Sequence, residues 1–263
     1  RAGRTETGMR IATWNVNSVK ARLAHVVRFL GEFAPDVLLL QELKCRSEEF
    51  PRLEIEAAGY RCAVNGQKSY NGVAILARAP IEILAERLPG DAEDVQARYL
   101  EARVAGLRVA SLYAPNGNPI GTEKFAYKLA WMERLESHAR ALLESEDKVV
   151  LGGDYNIIPT AEDVYDPADW TEDALWRPES RACYRRLIWS GYTDAFRAID
   201  PRPHQYSFWD YQAGRWQRNE GIRIDHLLLS PAAADLLTGA GIERGPRGLD
   251  KASDHTPVWC DLA

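Results

Sequence analysis

The nine residues from Lys148 to Asn156 constrain the fold more than any other part of this sequence. The apolar run Val149 to Leu151 predicts a buried strand. Two glycines follow, and without side chains they would let a ligand approach the backbone closely. Asp154 and Asn156 then lie two positions apart, so in extended backbone they project to the same side. This pair could hold a metal-bound water and contact a phosphate, or it could form a turn that closes the strand.

Composition limits the classes of protein to consider. The 263 residues are 46% hydrophobic and 27% charged, as in a globular chain with one large or two small domains. We find no apolar run of the roughly 20 residues that a membrane helix needs, and no signal peptide. The net charge is −5, so any nucleic-acid-binding surface has to be local. The four cysteines are far apart and lack zinc or redox spacing, which predicts reduced thiols in a cytoplasmic protein.

Strands and helices alternate along most of the chain. Residues 1–8 are polar and patternless, and we interpret them as a tail or vector-derived extension before a natural start at Met9. The hydrophobic pattern predicts these elements: strands at 10–17, 37–40, 60–65, 73–77, 98–105, 107–113, 149–151, 221–229 and 253–259, and helices after Ser18 and at 48–58, 122–144, 179–190 and 232–237. The segments 80–96 and 159–178 lack periodicity and are predicted to be irregular. With no linker between the halves, we predict one α/β domain of residues 9–263, with two packed sheets and helices outside.

Polar side chains recur where the predicted strands end. Each has a structural alternative, such as a turn former, a surface carboxylate, a packed histidine or a core tyrosine with a satisfied hydroxyl. Asp225 is predicted in the middle of an apolar strand, where a buried carboxylate needs a partner. Ligand sites in α/β sheets tend to form at strand ends. The recurrence therefore favours one site built from these residues: Asn15, Glu42, Tyr113, Asp154, Asn156, Asp225, Asp254 and His255.

The ordered set of motifs around these residues resembles the exonuclease III family, the AP endonucleases and 3′-to-5′ exonucleases of the endonuclease/exonuclease/phosphatase superfamily. The motifs are Trp14-Asn15-Val16-Asn17, Leu40-Gln41-Glu42, Asn71-Gly72-Val73-Ala74, Gly153-Asp154-Tyr155-Asn156, Phe208-Trp209-Asp210-Tyr211, Arg223-Ile224-Asp225 and Ser253-Asp254-His255. The resemblance covers residues 9–262. It implies a four-layer α/β sandwich of two mixed sheets, and phosphodiester hydrolysis with Mg²⁺, or Mn²⁺ as an alternative ion.

The resemblance also implies roles for single residues. Glu42, Asn15 and Asp254 would bind the metal, with Asp154, Asn156 and His255 as further candidate ligands. Asp154 would orient or deprotonate the attacking water, and Asn156 and Tyr113 would contact the phosphate. Asp225 would orient His255, which would bind the scissile phosphate. The chain has Asn17 where some relatives carry Asp, and Ile222 where some carry Trp.

DNA contacts are implied at two further groups of residues: Lys20, Lys68, Asn71 and Asn116 on flanking phosphates, and Phe208, Trp209, Ile222 and Ile224 around a pocket for a deoxyribose without its base. The aromatic group could also be ordinary core. The expected partner is double-stranded DNA with abasic sites or 3′ ends, bound by a cytoplasmic monomer of bacterial type without a membrane partner. Two alternatives stay open, namely a superfamily enzyme for a phospholipid or inositol phosphate, and a non-catalytic DNA-binding module.

Overall fold

Two six-stranded sheets pack face to face and carry helices on their outer faces. The structure, a computed structural model, describes residues 8–263, so the predicted tail lies outside the described residues except for Gly8. The first sheet has the order β11 (Leu237–Ile242), β12 (Val258–Leu262), β1 (Met9–Asn15), β2 (Val37–Gln41), β4 (Val73–Ala77) and β3 (Arg61–Asn65). The second has the order β5 (Ile81–Ala85), β6 (Tyr99–Val104), β7 (Leu107–Tyr113), β8 (Val149–Asp154), β10 (Asp225–Leu229) and β9 (Thr193–Asp194). The predicted four-layer α/β sandwich is confirmed.

Each sheet has one parallel pair of strands near its centre. β1 is parallel to β2, and β7 is parallel to β8, whereas the other neighbouring strands are antiparallel. The strands of these pairs are rich in Val, Ile and Leu, as expected for strands that are covered on both faces. The pairs therefore lie in the middle of the molecule, and their carboxyl ends are the places where polar residues can gather.

The hydrophobic core forms three layers. Between the sheets, residues such as Leu39 and Ile75 of the first sheet pack with Val109 and Leu227 of the second. Outside the first sheet, α1 covers an apolar face that includes Trp14. Outside the second, α3 and α4 cover the other face. The helices are α1 (Leu23–Glu32), α2 (Arg52–Ala57), α3 (Glu123–Leu143), α4 (Pro178–Trp189), α5 (Ala195–Ile199), α6 (Arg215–Arg218) and α7 (Pro231–Ala234).

The two glycines of β8 serve packing rather than ligand approach. A Cβ on Gly152 would lie 2.6 Å from both Leu39 Cδ1 and Leu227 Cδ2, so this glycine allows the two sheets to approach each other. A Cβ on Gly153 would collide with the backbone carbonyl of Leu112 on β7. The prediction that these positions leave room for a ligand is therefore wrong, because protein atoms already fill the space.

Several predicted boundaries also differ from the structure. The predicted helix 48–58 is a 3₁₀ turn, Ser47–Glu49, followed by α2, because Pro51 disfavours helical backbone in the residue before it. The segment 80–96 contains β5, and the strand β11 follows α7 where a longer helix was predicted. The strand predicted at 221–229 begins only at Asp225. Asp225 is thus a strand-end residue, like Asp154, and not a residue in the middle of a strand.

Two predictions from composition can be compared directly with the described residues. Within residues 8–263, no helix is both long and apolar enough to cross a membrane. The four cysteines are free thiols, and Cys45, Cys183 and Cys260 are buried.

Candidate active site

Strand register brings the predicted polar residues to one edge of the molecule. In the second sheet, Asp154 at the end of β8 lies opposite Tyr113 of the parallel strand β7. On its other side it lies opposite Asp225 of the antiparallel strand β10. In the first sheet, Asn15 at the end of β1 lies opposite Gln41, which directly precedes Glu42. Loops then add Asn156, Asp254 and His255 to the same group through the hydrogen bonds described below.

Asn15 links carboxylates from the two sheets. Its Nδ2 donates to Glu42 Oε1 at 3.1 Å and to Asp154 Oδ2 at 2.9 Å. Its Oδ1 accepts the backbone N–H of Asn17 at 3.0 Å, which fixes the orientation of the amide. If the amide were turned over, its oxygen would face the carboxylate oxygens of Glu42 and Asp154, and none of the three atoms could donate a hydrogen bond. This arrangement argues against Asn15 as a metal ligand, since its nitrogen rather than its oxygen faces the carboxylates.

Glu42 is held as a carboxylate by the donors around it. Oε1 accepts from Tyr113 Oη at 2.8 Å in addition to Asn15, and Oε2 lies 3.1 Å from Lys44 Nζ. Burial raises the pKa of Glu42, but the hydrogen bond from Asn15 and the charges of Lys44 and His255 outweigh it, so the pKa is lowered. Burial and the nearby carboxylates raise the pKa of Tyr113 well above its usual value, so its hydroxyl stays a donor.

A group of oxygen atoms at Glu42 fits a hard divalent cation. Asn17 Nδ2 donates to Asp254 Oδ1 at 3.2 Å, and Asn17 Oδ1 accepts from Lys44 Nζ at 2.5 Å. Glu42 Oε2 and Asn17 Oδ1 therefore share one positive charge, and Asp254 is joined to them through Asn17. Carboxylate and amide oxygens are the ligands that Mg²⁺ prefers, and here two of them face one cationic side chain. Of the predicted ligands, Glu42 belongs to this pair, and Asp254 is linked to it through the amide nitrogen of Asn17.

Asp225 and His255 form a buried ion pair. His255 Nδ1 lies 2.9 Å and 3.1 Å from the two carboxylate oxygens of Asp225. Ser207 Oγ donates to Asp225 Oδ2 at 2.6 Å. Burial lowers the pKa of His255, but the charges of Asp225 and Asp154 outweigh it and raise the pKa to about 10. The imidazole is therefore protonated at neutral pH, and its Nε2 lies 3.7 Å from Asp154 Oδ2.

The same residues also have the spacing of a metal-binding cluster. Ligand atoms of Asp154, Asp225 and His255 all lie within 4.8 Å of one another, so this acidic and histidine cluster could hold a metal ion. The geometry of His255 thus supports the predicted pairing with Asp225, and its spacing also agrees with its prediction as a candidate metal ligand.

Asp154 can exchange a proton near neutral pH. Its Oδ1 accepts the backbone N–H of Asn156 at 2.9 Å, and Oδ2 accepts from Asn15. Burial raises its pKa, the His255 charge opposes this, and the Asp225 charge adds to it, with the result that the pKa is about 7. A general acid or base acts best with a pKa near the working pH. Asn156 lies beside it and donates from Nδ2 to Ala114 O at 2.8 Å.

Left-handed backbone is concentrated at this site. Glu42 and Lys44 have φ values of 51° and 53°, which are uncommon for such side chains. Asn17, Asn71 and Asn156 have φ values of 44°, 55° and 48°. The loops that carry them are tied together, since Ser18 N–H donates to Glu42 O at 2.8 Å and Lys44 N–H to Asn71 O at 3.0 Å. Sparsely populated backbone that is held in this way is typical of functional sites.

The predicted phosphate contacts lie at different places around the site. Asn71 and Asn116 line one cleft of about 520 Å³, together with Arg98, Lys124 and Tyr127. Lys68 is exposed in the loop before Asn71. Lys20 is exposed and pairs with Glu49 at 3.4 Å. The cleft therefore unites two of the four residues with basic and aromatic neighbours.

Only one of the predicted pocket residues has an exposed aromatic surface near the site. The Phe208 ring is half-buried and packs edge-on against His255, with 4.9 Å between the ring centroids. Trp209 has no exposed surface, and its Nε1 donates to Asn219 Oδ1 at 3.2 Å. Ile222 and Ile224 are buried in a small apolar cluster next to Phe208. Direct DNA contact by these last three side chains does not agree with their burial, because they form the layer beneath the surface.

Several residues of the site were not recognised in the sequence. Lys44 and Ser207 bind the predicted carboxylates directly. Arg22 donates to Asn17 O at 2.7 Å and to Tyr211 Oη at 3.1 Å, and Tyr211 is 51% exposed. For Lys44 a signal existed, because it lies two positions after Glu42, as Asn156 does after Asp154. For Ser207 and Arg22 the sequence contains no comparable pattern.

Comparisons with known proteins identify the family to which this chain is similar. The model of the endonuclease/exonuclease/phosphatase family matches residues 12–255. Exodeoxyribonuclease III of Haemophilus influenzae is 32% identical over 97% of this chain and 100% of its own length. The solved structure of a 3′ phosphatase from Neisseria, bound to a product DNA hairpin, is 38% identical over 97% of this chain and 99% of that one, with a TM-score of 0.94. An AP endonuclease from Archaeoglobus fulgidus is 33% identical over 96% of this chain and 98% of that one, with a TM-score of 0.92.

Proposed function

The chain belongs to the endonuclease/exonuclease/phosphatase family, in its exonuclease III branch, and we propose that it is a Mg²⁺-dependent DNA-repair nuclease. It cuts phosphodiester bonds 5′ to abasic sites, and it removes nucleotides or blocking groups from the 3′ ends of duplex DNA. The names of the relatives support both reactions, since they include an exodeoxyribonuclease III, an AP endonuclease and a 3′ phosphatase.

One observation carries the proposal. A single hydrogen-bonded network joins Glu42, Asn15 and Asp154 across the two sheets, and the Asp225–His255 ion pair lies against it. Hydrolysis of a phosphodiester needs a group that takes a proton from water and positive groups around the phosphate oxygens. The network supplies both within a few ångströms. A module that only binds DNA has no need of such an arrangement.

The roles of the side chains follow from their protonation. Asp154, with a pKa of about 7, takes the proton of the attacking water or returns it to the leaving oxygen. The Nε2–H of protonated His255 donates to a phosphate oxygen, and the Tyr113 hydroxyl, whose single O–H turns from Glu42 to the substrate, donates to another. Glu42, Asp254 and the amide oxygen of Asn17 would hold Mg²⁺, which would supply positive charge beside the phosphate oxygens.

The surroundings of the network account for the substrate. The cleft that contains Asn71, Asn116 and Arg98 binds the DNA backbone on one side of the scissile bond, and Lys20 and Lys68 contribute further out. Phe208 packs against the deoxyribose of the abasic nucleotide, next to His255. Every residue in these roles comes from one chain, so a monomer is sufficient.

The test uses three labelled duplexes and one small phosphodiester. The duplexes carry an internal abasic analogue, a 3′-phosphate at a nick, or a recessed unmodified 3′ end, and each is incubated with Mg²⁺ or with a chelator. We expect Mg²⁺-dependent cleavage of the duplexes and little hydrolysis of the small diester. Asp154→Asn should abolish cleavage. His138→Asn should not, because it changes a histidine whose contacts are outside the site.

Different outcomes would exclude different parts of the proposal. Activity that is confined to the small diester would favour a phospholipid or inositol phosphate enzyme. Duplex binding without cleavage in Mg²⁺ or Mn²⁺ would favour a binding module. Release of the 3′-phosphate without abasic cleavage would restrict the function to the processing of 3′ ends, the activity for which the 3′ phosphatase from Neisseria is named.

A further inference from the structure

Lys44 occupies the position in which the cation-binding oxygens converge. Its Nζ lies 3.1 Å from Glu42 Oε2 and 2.5 Å from Asn17 Oδ1. The other oxygen of Glu42 already accepts hydrogen bonds from Asn15 and Tyr113. Oε2 is thus the Glu42 oxygen that is available to a metal, and its present partner is the Lys44 ammonium.

We infer that the Lys44 ammonium is a resident counter-ion that a divalent metal must displace, and that the displaced side chain then binds a DNA phosphate. This inference rests on the proposed function, because it requires a divalent ion at Glu42. An ammonium and a divalent cation would repel each other strongly if both contacted the same oxygen atoms. Binding of the metal and departure of the ammonium are therefore a single exchange.

The fixed backbone of Lys44 determines where the ammonium can go. The residue has left-handed backbone, and its N–H donates to Asn71 O at 3.0 Å. Asn71 lines the cleft that also contains Arg98 and Asn116. The side chain is 34% exposed, so its four-carbon stem can turn without displacing core residues. On the proposed exchange the ammonium turns toward this cleft and binds a phosphate there, so that metal binding and DNA binding favour each other.

The first experiment measures metal binding without DNA or catalysis. Binding of Mn²⁺ to the full chain is followed by isothermal titration calorimetry and by the electron paramagnetic resonance of free Mn²⁺. Lys44→Met keeps the length of the side chain and removes its charge, and we expect it to tighten Mn²⁺ binding about two- to fivefold, the order for loss of a partly exposed ion pair. Lys44→Arg should leave the affinity near that of the natural chain. Lys148→Met is the matched control. It removes the same charge from a lysine that directly precedes β8, whereas Asp154 of the site lies at the other end of that strand.

The outcomes separate this inference from the proposed function. Unchanged or weaker Mn²⁺ binding in Lys44→Met would overturn the counter-ion role of Lys44, while the metal site itself would stand. An equal gain in Lys148→Met would show that net charge rather than the contact with Glu42 is responsible, which also overturns it. If neither the natural chain nor Lys44→Met bound Mn²⁺, or if Glu42→Gln bound it unchanged, the metal site of the proposed function would be wrong as well.

The second experiment measures the coupling to DNA. The affinity for an uncleavable abasic duplex is measured against salt concentration, with Ca²⁺ and without a divalent ion. One phosphate contact contributes a slope of about −0.9 in log affinity against log salt. In Lys44→Met the slope should become shallower by about this amount with Ca²⁺ and remain unchanged without it. An equal change under both conditions, or no change under either, would overturn the exchange.

Discussion

Replacement of Asp225 by Asn tests the catalytic cation directly. The substitution keeps the shape of the side chain and its hydrogen-bonding partners Ser207 and His255, but removes the negative charge. Burial lowers the pKa of His255, and the charge of Asp225 is the main cause that instead raises this pKa to about 10. Without that charge we expect the pKa of His255 to fall, because burial disfavours the charged ring and only the charges of Asp154 and Asp254 still favour it.

The size of the effect follows from the fraction of protonated imidazole. With a pKa of about 10, His255 stays protonated up to about pH 9, and its protonation does not limit the rate. Each unit by which this pKa falls below the working pH reduces the protonated fraction about tenfold. The Asp225→Asn enzyme should therefore lose activity relative to the natural chain as the pH rises from about 7 to 9, a range in which the Asp154 carboxyl is mostly ionised. His255→Asn should lose at least about a hundredfold at every pH, as expected when a charged donor to the phosphate is removed.

The assay is single-turnover cleavage of an abasic duplex between about pH 5.5 and 9 at saturating Mg²⁺. His138→Asn is the control, since His138 makes a similar contact with Glu101 at 2.7 Å outside the site. Its profile should follow that of the natural chain. The double mutant Asp225→Asn/His255→Asn should be no worse than His255→Asn alone. Parallel pH profiles for Asp225→Asn and the natural chain, or additive losses in the double mutant, would refute the ion-pair mechanism.

Three further predictions concern the pocket, the core and a buried lysine. Phe208→Ala should reduce the preference for abasic over intact duplex more than it reduces duplex affinity, by an amount that corresponds to about 1–3 kcal/mol for a lost stacking contact; equal losses on both duplexes would make the ring structural. Gly152→Ala should lower the free energy of unfolding in urea by about 1–3 kcal/mol, because its Cβ would lie 2.6 Å from two leucine methyl groups. A Cβ on Gly31 in α1 would meet no atom within 4 Å, so Gly31→Ala should raise the free energy of unfolding by about 0.5–1 kcal/mol. Similar changes in the two variants would contradict the packing argument. Burial lowers the pKa of Lys128 from 10.5 to about 7. As the pH rises, the folded state therefore releases this proton before the unfolded state does, and the free energy of unfolding increases between about pH 7 and 10.5. Lys128→Met should lose that gain, and urea midpoints that run parallel to those of the natural chain over this range would show that Lys128 does not titrate there.

The elements that could be predicted from the sequence are those with one dominant hydrophobic period. The runs at β2 and β8 and the long helix α3 begin where their patterns predict, because each is apolar on the surfaces that it buries. The strands β5 and β11 lie at the edges of their sheets, where β11 contains two glycines and β5 is partly exposed. These two edge strands bury little apolar surface, so their sequences lack the pattern that identifies a strand, whereas the edge strand β3 was predicted from its sequence.

The members of the site could be predicted in large part, and the resemblance also predicted the pairing of Asp225 with His255, but the other contacts could not be predicted. Strand ends indicated Glu42, Asp154 and His255, whereas the linking amide of Asn15 depends on how the two sheets are placed against each other. The role of Lys44 depends on left-handed backbone that neither Lys nor Glu favours. Such conformations are imposed by tertiary hydrogen bonds, which a local pattern does not contain.

The electrostatic balance of the site explains how a chain with a net charge of −5 can approach DNA. The carboxylates of Glu42 and Asp225 each face a cationic side chain, Lys44 and His255 respectively. A divalent ion at Glu42 and Asp254 would add two positive charges and, on the exchange argued above, would release the Lys44 ammonium toward the cleft. The negative charge of the carboxylates would therefore be offset only with the metal bound, and the metal would then attract the phosphate as well as activate it. The net charge of the whole chain does not predict this, because charges more than about 8 Å from the site are largely screened by physiological salt.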